Sequence, residues 1–364
     1  MMHRGAIRVG VVLAVLALAG APRALAQQGG LPDEVVTAPH LTEQHTQTLR
    51  QFVQGHAAAM GTATGDAMRD ARTAILQPLA RSNASVAFRI RYGGVVADAL
   101  APLMQGGGEL AQVNALAIAG ELATDDAVKL FDAGRTSDKP AVRYSAAAAA
   151  GTMLRKAANA AAGANLLNAN RVDELIRKLG EMLAVEQDPL VIDAIMSALA
   201  ASQALSDAQR RAGVAQLAAG VAALVDRQAG KPFGDVVLEG FVRTADAVSA
   251  VLQTPGAVPQ DTLKECGRIG QMMVAHAHRV VAAKAVPAGA EGASQRELLR
   301  QVTVSGQNII LLSAQKLNQG IEIKQADFGP IRNGNNAGDA DFLNRAQDLL
   351  EAVTRPPFNL APVK

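Results

Sequence analysis

The sequence predicts an all-α protein, either a helical repeat or an extended antiparallel helical bundle. Three observations lead there. Apolar residues recur at helical spacing in most segments from Thr42 onward. Strand-like alternation is scarce, and its best case, Ile321-Glu322-Ile323, is only three residues long. Alanine is abundant, which suits helices packed closely through small contact residues.

In chain order, the first 26 residues read as a cleavable secretory signal. Arg4 and Arg8 form a basic start, and Val9 to Ala21 is an uncharged apolar run. Ala24-Leu25-Ala26 makes a small-x-small cleavage site, leaving Gln27 as the new N-terminus. The run is short for a spanning helix, which needs about 20 apolar residues, and an uncleaved anchor is the alternative. No cysteine follows the cleavage site to take a lipid. No later segment is both apolar and long enough to span, so a soluble periplasmic or extracellular protein is expected.

Residues 27–40 are polar and turn-rich, and a disordered leader is expected there. A single helical domain over 41–354 follows. Leu49, Phe52, Val53 and His56 fall on one helix face, as do Met68, Ala71, Ile75 and Leu79. Ser85 to Leu103 is a third helix, weakened by Gly93-Gly94 at its middle. Further on, helices are expected at Asp207 to Gln228, Phe233 to Gln253, Pro259 to Ala285, Ser294 to Asn318 and Asp339 to Val353. Gly230, Pro255-Gly256, Pro287-Ala288-Gly289 and Gly329-Pro330 separate them. Residues 355–364 hold three prolines and read as a tail.

Between Gly108 and Ala204 the chain begins to repeat. Ala-rich helices start near Val113, Val142 and Val191, at intervals of 29 and 49 residues. The last two share an entrance, Asp138-Lys139-Pro140 and Asp188-Pro189. An Asp there can accept hydrogen bonds from first-turn amides, and a Pro tolerates the first helical position because it needs no N–H.

The stretch Asp138-x-Pro140-x-Val142-Arg143-x-x-Ala146-Ala147-x-Ala149-x-Gly151 resembles the second helix of a HEAT-type repeat. The resemblance implies a HEAT-like α-solenoid around residues 108–204. It also implies that Asp138 and Arg143 join a ladder between neighbouring repeats. Asp188, Pro189 and Val191 match at the second site, but Ile192 replaces the Arg and interrupts the ladder. Unequal intervals leave ordinary Ala-rich helices with Asp-Pro caps as the alternative.

Composition removes several functions. Lys and Arg total 35 against 33 acids, but Arg4, Arg8 and Arg23 leave with the signal, so the mature net charge is −1. Nucleic-acid binding then lacks its electrostatic basis. With no Trp, two Tyr and eight Phe, the chain offers few faces for stacking bases or sugars. Cys266 is the only cysteine, so no internal disulfide can form. It reads as a buried packing residue, with a reactive thiol or an intermolecular bridge as the alternative.

No motif names a reaction. His276-x-His278 puts two imidazoles on different sides of a helix, unsuited to one metal. His45 and His56 lie on one face but about 16 Å apart. Ser313-x-x-Lys316 matches the nucleophile motif of penicillin-recognising enzymes without its companions Lys-Thr-Gly and Ser-Asp-Asn. Asn333 to Asp341 echoes a calcium loop, but Ala337 and Asn344 stand where ligands are needed, so a capping loop is the plainer reading. Asn83-Ala84-Ser85 is a sequon or a helix cap.

Two functions are therefore expected. The first is a non-enzymatic scaffold that holds another extracytoplasmic protein, with no cofactor or metal. The second is an exported hydrolase or metal-dependent enzyme, motivated by His40, His45 and His56 and by acids on many helices.

Overall fold

In a computed structural model, residues 30–160, 166–228, 230–254, 256–287, 289–317, 323–332 and 337–363 are described. The signal segment, the start of the leader, Ile321-Glu322 and Asn333 to Asn336 lie outside them. The described residues form fourteen α-helices and two short 3-10 turns, and no strand.

The helices pack in neighbouring pairs, and alternate ones fall in two layers. One layer contains α2 (Glu43–Thr62), α4 (Val86–Gly106), α6 (Val128–Arg135), α8 (Ala169–Val185), α10 (Asp207–Gln228), α12 (Gln260–Ala282) and α14 (Ala337–Ala352). The other contains α3 (Asp66–Leu76), α5 (Glu109–Leu122), α7 (Pro140–Asn159), α9 (Pro189–Ala200), α11 (Asp235–Gln253) and α13 (Ala293–Leu317). Each helix touches the next of its own layer along the chain, and most also touch their sequence neighbours in the other. Buried apolar side chains from Leu31 to Phe358 make one continuous cluster between the layers.

Small residues set the spacing in the second layer. A Cβ on Gly120 of α5 would lie 3.0 Å from the Ala149 Cα of α7. A Cβ on Gly151 of α7 would lie 3.1 Å from the Ala198 Cα of α9. The Ala-Ala-x-Ala-x-Gly run thus lets three successive helices approach backbone to backbone, where dispersion contacts are densest.

Gly93-Gly94 does not weaken its helix. α4 runs unbroken through both, and a Cβ on Gly93 would fall 2.6 Å from Thr124 Cγ2 in the connection between α5 and α6. The glycines answer a tertiary need that local propensity cannot show.

The segments that flank the helical array also pack against the core. The leader is ordered from residue 30, because it carries apolar side chains that the core can take. α1 (Asp33–Thr37) buries Val35 and Val36, and Leu31 is buried beside them. Ser85 caps α4 by accepting from the Phe88 amide, donates to the Ala38 carbonyl, and passes its own amide to the Val36 carbonyl. The tail folds back, with Phe358 fully buried.

Candidate functional site: the repeat junction and a groove along α12

The repeat motif separates into parts with different fates. Pro140 and Pro189 open α7 and α9, and Val142 and Val191 are fully buried. The Asp188 carboxylate accepts from the Leu190 and Val191 amides at 3.0 and 3.2 Å. Asp138 does not behave in the same way. Lys139 occupies the N-cap of α7 without a side-chain cap, and the Lys139 amide goes to the Ser137 hydroxyl.

Arg143 likewise makes no pair with an Asp of a neighbouring repeat. Its guanidinium grips Glu186 through both carboxylate oxygens, at 2.7 and 2.9 Å, and donates to the Ser137 and Asp138 carbonyls. The Glu186 side chain is 5% exposed, so this pair is held in a low-dielectric setting. Burial alone would raise the Glu186 carboxyl. Hydrogen bonds from Arg143 and from the Asp188 and Gln187 amides outweigh it and hold the group below its usual range. Arg143 thus ties α7 to the turn that opens α9. Other charged ties bridge neighbouring helices within a layer, among them Lys178 of α8 to Asp132 of α6, Lys156 of α7 to Glu121 of α5, and Arg243 of α11 to Asp193 of α9. Glu186 was legible only as an acid two residues before Asp-Pro, because its burial depends on α7.

The other motifs are spread apart. His276 is fully buried, its ring centroid 4.4 Å from Phe233, and neither of its nitrogens has a hydrogen-bond partner. Burial, then the nearby Arg279 charge, lowers its pKa to about 3. His278 faces the groove described below. Ser313 is buried without a hydrogen-bond partner, whereas Lys316 donates to the carbonyl of Thr254, the C-cap of α11. His56 packs edge-on to Phe52 in α2. Asp339, in the first turn of α14, accepts from the Arg332 amide at 2.7 Å. Cys266 is buried, and burial pushes its thiol up to about 12. Among the described residues no group of three His, Cys, Asp or Glu is placed to hold a metal ion. No described helix is long and apolar enough to cross a membrane.

A groove of about 1330 Å³ runs along α12. α12 forms its floor, with Ala222 and Asp226 of α10 on one side and Gln347 and Leu350 of α14 on the other. Lys264, Arg268, His278 and Arg279 bring basic groups along α12, against Asp226 and Glu265. Arg279 is tied to Asp226 at 3.6 Å and to the Val225 carbonyl at 3.4 Å. The chain's last residues form the remaining wall. Phe358 sits over Gly267, where a Cβ would stand 2.4 Å from the ring, and Gln271 donates to the Ala361 carbonyl at 3.0 Å. Sequence spacing cannot reveal this groove, since three helices and a terminal segment build it together.

No family model matches the chain, and no curated protein matches it. Among solved structures it is similar to a crystal structure titled only as an engineered protein, at 16% identity and a TM-score of 0.27, over 86% of this chain and 85% of the other. Agreement that low carries no inference about fold or function. The chemistry therefore has to be read from the chain itself. The groove combines alanines and an exposed Arg268 on α12 with the Gln271 amide and the aliphatic Leu350.

Proposed function

We propose that this chain is exported, and that the mature protein is a non-enzymatic helical scaffold of the HEAT type that holds another extracytoplasmic protein along the groove beside α12. The observation that carries the reading is the alternation of helices between two layers, each helix packed on the next of its own layer. Such stacking leaves extended surfaces rather than one enclosed chamber. The Asp188-Pro189-Val191 entrance and the Arg143 tie support the HEAT resemblance, although Glu186 stands in for the ladder Asp. Arg4, Arg8, the apolar run and Ala24-Leu25-Ala26 support export.

Fractionation followed by N-terminal sequencing tests the address. A mature chain beginning at Gln27 outside the cytoplasm is expected, and full-length protein retained inside would contradict it. Affinity purification from that compartment tests the role. A partner recovered at stoichiometric level is expected, and recovery of the chain alone counts against a scaffold.

A further inference from the structure

We propose that the seat of the C-terminal segment on α12 is a binding site for extended peptides, which residues 358–363 occupy in cis. The incoming peptide would carry an aromatic anchor followed three residues later by a free backbone carbonyl.

Two contacts of different kinds define the seat. The Phe358 ring is 1% exposed and lies against Gly267, the one residue type whose lack of a side chain leaves room for it. Three residues on, Gln271 donates its side-chain amide to the Ala361 carbonyl. Gln271 is 2% exposed beneath the segment, so its amide is satisfied there by the Ala361 carbonyl rather than by solvent. An aromatic pocket followed by a backbone reader is how grooves recognise extended chains: the pocket gives specificity and the main-chain contact gives register.

Elsewhere the segment is held by backbone bonds from Asn359 to the Arg355 carbonyl and from Leu360 to the Val353 carbonyl, with Leu360 and Val363 partly buried on the core. Residues 359–363 form no helix, and Asn359, Ala361 and Pro362 are exposed. Ala275, His278 and Ala282 of α12 line the same groove. Lys264 and Arg268 have no ion-pair partner among the described residues and outnumber Glu265 on that wall. Residues 358–363 carry no charged side chain. A peptide with an acid beside its aromatic anchor would therefore bind where the chain's own segment gains nothing.

This inference rests on the scaffold reading for its use, but not for its test. A fluorescein-labelled peptide of residues 354–364 is added to full-length Phe358→Ala protein, and anisotropy is recorded. Saturable binding is expected, at least tenfold tighter than to the wild type, and weakened several-fold by Gln271→Ala in the same background. A peptide with Ala in place of the aromatic should not bind. A folded Phe358→Ala protein that takes up no peptide, or takes up both equally, overturns the proposal. If Phe358→Ala lowers the helix content, the wild type carries the test by hydrogen exchange. Peptide in excess should then speed exchange at the amides of residues 359–361, and exchange unchanged at every peptide concentration overturns the proposal. Failure of both assays beside a stoichiometric partner would leave the scaffold standing and remove only this site.

Discussion

Gly270 and Gly306 meet where α12 crosses α13: a Cβ on Gly270 would stand 2.5 Å from the Gly306 carbonyl oxygen, and one on Gly306 2.8 Å from the Gly270 carbonyl oxygen. Two backbones touch there, so neither neighbour can yield by turning a side chain. Gly306→Ala should lower stability by about 1–3 kcal/mol, the usual range for overpacking. Gly55, exposed in the middle of α2 with nothing near its would-be Cβ, should respond in the opposite sense. Gly55→Ala should raise stability by ~0.5–1 kcal/mol. Urea denaturation of both variants checks the pair of signs.

The two Asp-Pro entrances should differ although their sequences look alike. Asp188→Ala removes a side chain that satisfies two first-turn amides and should cost ~1 kcal/mol. Asp138 caps nothing, so Asp138→Ala should stay within about 0.5 kcal/mol of the parent. Equal losses in thermal or chemical unfolding would show that both entrances work the same way.

Arg143→Ala should destabilise by about 3 kcal/mol, because it strands Glu186 as a buried charge. The double variant Arg143→Ala with Glu186→Gln should recover part of the loss. The pH dependence follows from the lowered Glu186 pKa. Its contribution is complete above the ordinary carboxyl value and fades as the pH falls through the lower folded value. Denaturation midpoints between pH 7 and pH 3 should therefore fall more steeply for the wild type than for the double variant.

His276 gives an acid response from the core. The folded imidazole titrates near 3 and the unfolded one near 6.5, so only the unfolded chain takes up a proton between those values. Its neutral form costs nothing extra above 6.5, and stability declines by up to ~1.4 kcal/mol for each pH unit below it. His276→Leu should equal or exceed the parent at pH 7, since neither nitrogen has a partner to lose, and exceed it clearly at pH 5. Parallel stability curves for the two proteins would contradict this assignment.

Much of the fold is written locally, and much of the site is not. The helical spacing of Leu49, Val53 and Met68, Ala71, Ile75 marks the faces that are buried. The boundaries at Gln253 and Gln228 coincide with the Gly and Pro signals that follow them. Gly93 misleads, because its reason is Thr124, a residue on a different turn. Asp138 misleads in the other direction, since a motif matched by type places no hydrogen bond. Leu31, Val35 and Val36 are too few to announce an element, yet they find a place on the core once α4 exists to cover them. The groove could not be read at all, for Ala222, Gln271, Leu350 and Ala361 are brought together only by the packing of three helices of one layer with the terminal segment.

Site-specific photo-crosslinking tests the central claim most directly. A crosslinking amino acid replaces Arg268 on the groove wall in one strain and exposed Asp70 on α3 in another. After illumination of living cells, the groove position should yield one discrete adduct with an extracytoplasmic protein, and the α3 position should yield none. No adduct from Arg268, or the same adducts from both positions, would contradict a scaffold that holds its partner beside α12.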